Sequence, residues 1–215
     1  MMIPEKTIER LSLYRRLLGN LEGNARTHVF SHELATMSQS SAAQVRRDLM
    51  LTGLTGHPKR GYEVQGLIDE IDRVLDGPDE QRIAFVGVGN LGRALLSFFT
   101  GRRRKLAVVA AFDVDPYKVG RVIHGCRVHP VDQLGAVIRE QRVRLGVITT
   151  PAEYAQDIAD EMVAAGVTGI VNLAPRPLVV PDHVYVDQVD LTGSLERVAY
   201  FARHSIPEGD DIPES

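Results

Sequence analysis

Gly87-Val88-Gly89-Asn90-Leu91-Gly92 is the stretch of this sequence whose residue types and spacing best suit a phosphate ligand. It fits G-x-G-x-x-G, directly follows the apolar run Arg82-Ile83-Ala84-Phe85-Val86 and opens a helical pattern. In that context Gly87 permits a tight turn, Gly89 lets backbone approach a pyrophosphate, and Gly92 lets helix and strand pack closely. The helix start adds unpaired N–H groups and a partial positive charge. Twenty-one residues after Gly92, a second apolar run ends in Phe112-Asp113. A carboxylate there accepts hydrogen bonds from both adenosine ribose hydroxyls and repels a 2′-phosphate, which predicts NADH or NAD+ as the ligand. Val114-Asp115 follows, where a 2′-phosphate pocket would place an arginine; Arg102-Arg103-Arg104-Lys105 reads as a solvated turn at the far end. Thr149-Thr150-Pro151 closes a third run, and Asn172 with Ala174 and Pro175 closes a fourth. These strand ends are expected to line a nicotinamide pocket.

A second constellation lies nearer the N-terminus. Gln44, Arg46 and Arg47 fall on a short helix that Ser41 can cap, and Lys59 and Arg60 stand at the tip of a following turn. Gln suits adenine through a bidentate pair, and Arg suits guanine or phosphate. Cations on a wing reach the minor groove or the backbone and make binding salt-dependent. The groups needed for turnover are missing. The chain has no Tyr-x-x-x-Lys, and no His or Lys sits at an obvious strand end beside a second polar partner to serve as a proton relay. His124 and His129 flank Cys126, the only cysteine, in what reads as a surface loop of β-hairpin-like context rather than a metal site. A nucleotide site without visible catalytic groups points to sensing. The rival reading is a small NAD-dependent oxidoreductase whose N-terminal helices only dimerise.

The elements that must hold these residues form two modules. From Pro4, apolar residues from Ile8 to Leu21 recur at helical steps, with Gly19 and Gly23 fraying the far end. A β-prone Thr27–Phe30, a helix Ser31–Met37 capped by Ser31, a turn, a helix Ala42–Met50 stopped by Gly53, and a basic turn follow. That order is a winged helix-turn-helix, placed at 1–76 together with a helix from Gly66 to Leu75. Asp76-Gly77-Pro78-Asp79-Glu80 breaks the pattern, so 77–81 is read as a linker. Beyond it, continuous apolar strands alternate with amphipathic helices near 132–141 and 153–165, which predicts an α/β Rossmann-type parallel-sheet domain at 82–205. A last strand at Val184–Val186 and a helix Ser194–Arg203 end it. Residues 206–215 are expected to be a disordered acidic tail.

Composition agrees with a soluble chain of 215 residues, 44% hydrophobic and 25% charged. Residues 1–60 hold nine Lys/Arg against five Asp/Glu, a net +4, while the whole chain is −3, so the first module is the basic one. No apolar run approaches the roughly 18 residues of a membrane span, the first residues lack a secretory layout, and a lone cysteine forms no disulfide framework. The chain reads as cytoplasmic, with no membrane partner.

From Pro4 to about Ala202 the sequence resembles the bacterial redox-sensing transcriptional repressor family Rex. The resemblance rests on Gln44-Val45-Arg46-Arg47-Asp48-Leu49, Gly61-Tyr62-Glu63-Val64, Gly87 to Gly92, and Phe112-Asp113-Val114-Asp115-Pro116 with Lys118-Val119-Gly120. Asn172-Leu173-Ala174-Pro175 and Val189-Asp190 complete it. It implies a homodimer that reads inverted-repeat operator DNA, binds NADH or NAD+, leaves its operator with NADH, and swaps its C-terminal helix onto the partner. It also implies that Arg16 and Asp190 take part in a state-dependent contact. Two departures stand out: Phe98 occupies a place where the family often has Tyr, and the wing lacks an extra glycine.

Overall fold

The computed structural model describes residues 3–23, 26–53, 56–57, 59–101 and 105–204. The chain divides into two units between residues 80 and 81. In the first, α1 (Glu5–Gly23) buries Leu11, Tyr14 and Leu18 along one stripe. The helix continues through Gly19 instead of fraying there. An exposed glycine costs only about 1 kcal/mol against alanine, less than the packing of that stripe returns. α2 (Ser31–Met37) and α3 (Ala42–Met50) pack against α1 around Leu34, Ala35, Val45 and Leu49. Ser31 does not cap α2. Glu33 does, accepting the Phe30 N–H at 2.7 Å, and that bond holds Glu33 below the usual carboxylate range.

β1 (His28–Val29) pairs antiparallel with β2 (Tyr62–Glu63), and α4 (Val64–Leu75) follows at once. α4 starts two residues before the expected Gly66 because Val64 and Leu67 already sit in the core. Gly61 turns the chain at φ +74, where a Cβ would overlap the Val29 carbonyl. Two helices about a turn, then a hairpin, make the helix-turn-helix with its wing.

The second unit is built on a seven-stranded sheet. Its strands are β3 (Gln81–Val86), β4 (Leu106–Asp113), β5 (Val122–Ile123), β6 (Cys126–Pro130), β7 (Leu145–Ile148), β8 (Gly169–Asn172) and β9 (Tyr185–Gln188), in the order β5-β6-β4-β3-β7-β8-β9. Every pair is parallel except β5 with β6. β5 and β6 form the hairpin expected around His124–His129, but not at the surface: Cys126 and Val128 alternate inward with Arg127 outward, and β6 adds to β4.

One face of the sheet, through Ala84, Val86, Ala110 and Phe112, is covered by α6 (Leu134–Glu140) and α7 (Ala152–Ala164). The other, through Ile83, Phe85 and Ala111, is covered by α5 (Asn90–Phe99). α8 (Leu191–His204) buries none of its residues. It begins before the expected Ser194 because the Asp190 carboxylate accepts the Gly193 N–H at 2.8 Å at the helix start. The acidic tail, Arg102 to Arg104 and Pro58 lie outside the described residues. Among the described residues, no helix is long and apolar enough to cross a membrane.

Candidate functional site

Strand order reverses between β3 and β7, and ligands of open parallel sheets bind outside the carboxyl ends of strands at such a point. A cavity of about 630 Å³ lies there. Its wall takes Val86, Gly87 and Gly89 from the glycine turn, Asp113, Val114 and Lys118 from the end of β4, and Val131 after β6. Thr149, Thr150 and Pro151 close β7, and Tyr154, Asp157, Ile158 and Glu161 come from α7.

The glycines are fixed by contact. Gly87 stands at φ +92, with Thr149 O 2.8 Å from where a Cβ would be. A Cβ on Gly92 would overlap the Gly87 carbonyl. Thr149 locks the same corner, its hydroxyl donating to Gly87 O at 2.6 Å. Gly89 faces open space and no side chain caps α5, so the helix start is left to a ligand's anionic groups. Val88 is buried; Asn90 and Leu91 form the first turn of α5 and are not part of the cavity wall.

Asp113 is 6% exposed and heavily engaged. Its Oδ2 accepts the Val88 N–H at 2.7 Å and Lys118 Nζ at 3.1 Å, and its Oδ1 accepts the Asp115 N–H at 2.9 Å. Burial alone would raise its pKa, but those two N–H groups and the ammonium outweigh it and hold Asp113 below the usual carboxylate range. An ionised carboxylate with lone pairs left over on Oδ1 suits one ribose hydroxyl, and Lys118 supplies a donor beside it.

Thr150 Oγ1 is buried with no hydrogen-bond partner. A buried hydroxyl without a partner costs free energy, and a polar group on a ligand in this cavity could relieve that cost once the Thr150 hydroxyl turns toward it. Asn172 is occupied differently. Its Nδ2 donates to Arg176 O at 2.8 Å and to Gln188 Oε1 at 2.7 Å, and its Oδ1 accepts the Ala174 N–H at 3.1 Å. It ties its own loop to β9, and neither it nor Ala174 nor Pro175 lines the cavity.

Sequence reasoning passed over Lys118 and the α7 face as site residues. Lys118 returns to Asp113 through a turn in which its N–H donates to Asp115 O at 2.9 Å. Tyr154, Ile158 and Glu161 follow Pro151 at helical spacing, a signal that could have placed them beside Thr150.

In the first unit, Ser41 caps α3 and accepts the Gln44 N–H at 3.1 Å. Arg46 and Arg47 are exposed, opposite buried Val45 and Leu49; Arg46 Nη1 also donates to Ser31 Oγ at 3.2 Å. Gln44 is half-buried and bonded to Asp48. Lys59 and Arg60 are exposed at the tip of a tight hairpin, closed by reciprocal bonds of 2.8 Å between His57 and Gly61. Arg16 is exposed on α1. Phe98 is 48% exposed, edge-on to Phe99 with centroids 5.2 Å apart, and is not part of the cavity wall. Asp190 is exposed at the start of α8.

Comparison with known proteins accounts for both units. A family model described as a CoA binding domain matches residues 78–176, and one for a candidate DNA-binding protein N-terminus matches residues 2–49. The redox-sensing transcriptional repressor Rex of Carboxydothermus hydrogenoformans is 43% identical over 201 residues, covering 94% of this chain and 97% of that one. Rex of Syntrophobacter fumaroxidans is 41% identical over 199 residues, covering 92% and 95%. Among solved structures, the Rex-family repressor RSP in complex with NAD+ and operator DNA superposes with a TM-score of 0.87 at 29% identity, covering 95% of this chain and 94% of that one. RSP in complex with NADH gives 0.83 over 95% and 96%. With similarity of this extent running through both units, the chain belongs to the Rex family of redox-sensing transcriptional repressors.

Proposed function

We propose that this protein is a homodimeric, cytoplasmic repressor that binds inverted-repeat operator DNA through α3 and the wing and leaves it when NADH replaces NAD+. The carrying observation is the cavity at the strand-order reversal, with its glycine turn, charged Asp113 and unpartnered Thr150 hydroxyl, in a chain similar throughout to a repressor solved with NAD+ and operator. The start of α5 would hold the pyrophosphate, Asp113 and Lys118 the adenosine ribose, and Val114, Val131 and Ile158 the apolar face of adenine. Thr150 would offer its hydroxyl to the cofactor. The dinucleotide supplies the redox difference; the chain supplies the binding groups. Ser41, Gln44, Arg46, Arg47, Lys59 and Arg60 would contact DNA, and Arg16, Phe98 and Asp190 would take part in coupling.

The homodimer is supported by surfaces that one copy leaves uncovered. α8 exposes Leu191, Leu195, Val198 and Phe201, and on the sheet Val171 and Tyr185 are exposed as well. Parallel sheets are ordinarily covered on both faces, so the C-terminal helix of a second copy is the proposed cover. An oxidoreductase with a dimerising N-terminus explains the cavity equally well, but not the similarity of the first unit to repressors.

The test is NADH fluorescence titration beside gel shifts on inverted-repeat duplexes, with coenzyme A as a control ligand. Saturable NADH binding and NADH-dependent release from DNA are expected. NADH turnover without any DNA shift, or coenzyme A displacing NADH at equal concentration, would overturn the reading.

A further inference from the structure

We infer that Asp48 is a positioning residue for base recognition, fixing which way the amide of Gln44 faces on α3. The inference rests on the reading of α3 as the helix that meets operator DNA. Ser41-Ala42-Ala43-Gln44 has capping-box spacing, in which the glutamine side chain would fold back onto the backbone of the capping residue. Ser41 takes its half of that arrangement. Gln44 does not take the other: its Nε2 donates to Asp48 Oδ1 at 2.9 Å, one turn further along.

Asp48 is itself clamped from α1. Arg10 donates from Nε to Oδ2 at 2.7 Å and from Nη2 to Oδ1 at 2.8 Å, and the Tyr14 hydroxyl donates to Oδ2 at 3.0 Å. Arg10 Nη2 also donates to Thr7 Oγ1 at 3.1 Å. Asp48 is 2% exposed, so the side chain that anchors Gln44 belongs to the core and not to the DNA-facing surface.

A carboxylate only accepts. The amide beside it therefore turns its nitrogen inward and its carbonyl away, because the flipped amide would set two oxygens against each other. With the hydrogen trans to the carbonyl given to Asp48, Nε2 keeps its other hydrogen next to Oε1. The outward edge of Gln44 is thus an acceptor beside a donor, which matches the N6 amino group and N7 of adenine. Guanine offers two acceptors, O6 and N7, and places one against the Gln44 carbonyl. Without Asp48 the amide would have both orientations open and would lose that freedom only on binding.

The test compares full-length wild type, Gln44→Ala, Asp48→Asn, the double variant and Tyr14→Phe on operator duplexes carrying each single base-pair substitution, at one salt concentration. Gln44→Ala should flatten the preference at one base pair of the half-site by about tenfold. Asp48→Asn should flatten the preference at that same base pair several-fold and leave the others, and the double variant should match Gln44→Ala. Tyr14→Phe disturbs the same cluster without touching Oδ1 and should keep the full preference. Uniform weakening on every duplex in Asp48→Asn, as a purely structural role would give, overturns the inference, and so does an unchanged preference. Should Asp48→Asn lack a cooperative melt, the Gln44 side-chain amide protons of the wild type decide. One proton protected from solvent exchange supports the inference, and both exchanging as a free amide overturn it. A wild type with no preference for any inverted repeat refutes the DNA-binding reading, and the inference with it.

Discussion

Asp113→Ala removes two things at once, because the same carboxylate faces the cavity and accepts the Val88 N–H of the glycine turn. NADH binding is expected to weaken by about 1.5–3 kcal/mol, the scale of lost hydrogen bonds to a charged group, while operator affinity without cofactor stays close to wild type. Fluorescence titration checks this; release from DNA at the original NADH concentration would remove Asp113 from the cofactor site. Residue type and spacing made the places of Asp113, Gly87 and Gly89 at the cavity legible, since those places depend on local backbone. Lys118 was hidden because it reaches Asp113 only through a turn. Asn172 looked free because its partners, Arg176 O and Gln188, meet it only in the folded loop. Cys126 also changes meaning with the fold. It is 3% exposed, and burial pushes its thiol up to about 11, so little thiolate forms near neutral pH. A thiol-specific disulfide reagent at pH 8 should label the native protein only slowly, as it opens, and the denatured protein at once. Rapid stoichiometric labelling of the native state would make this thiol a candidate redox group in its own right.

The clasp between α1 and α3 is the clearest case of elements held by a few polar groups. Burial first, and then the bond to Asp48, push the Tyr14 phenol up to about 12. A pKa raised in the folded state means the neutral phenol is favoured there. Its contribution is fully present below the ordinary value near 10 and is lost as pH rises through about 12. Ultraviolet titration of the native protein should show one late tyrosine, absent in Tyr14→Phe; all tyrosines ionising together near pH 10 would contradict the buried clasp. Asp48 has the opposite sign. Burial works to raise it, but the bonds from Arg10, Gln44 and Tyr14 prevail and lower it. Its contribution is present above about pH 4 and fades as pH falls through its lower folded value. Helices with long apolar stripes, such as α1 and α4, were legible from spacing alone. The burial of β6 was not, because a short Cys-Arg-Val hairpin strand reads as surface until β4 lies beside it.

For the whole molecule, the proposed dimer would cover an unburied amphipathic helix and an exposed stretch of sheet. Leu195→Asp combined with Val198→Asp should convert a dimer into a monomer in light scattering and abolish inverted-repeat binding; an unchanged mass would place the dimer contact elsewhere. Asp190 needs care in any test of coupling. Its carboxylate caps α8, so Asp190→Ala would mix lost capping, about 1 kcal/mol, with lost charge, whereas Asp190→Asn keeps a good cap. Phe98 has no hydroxyl to offer, and coupling is expected to persist through cofactor burial and the charges of Arg16 and Asp190. Recovery of coupling only in Phe98→Tyr would show that the hydroxyl is required. Linkage demands that operator and NADH oppose each other by the same factor in both directions. The decisive quantity is operator affinity at saturating NADH against saturating NAD+, measured on wild-type protein at one salt concentration. Binding weaker with NADH by about 5–150-fold is expected, the range of allosteric couplings of roughly 1–3 kcal/mol. Equal affinity in the two redox forms would contradict the sensor.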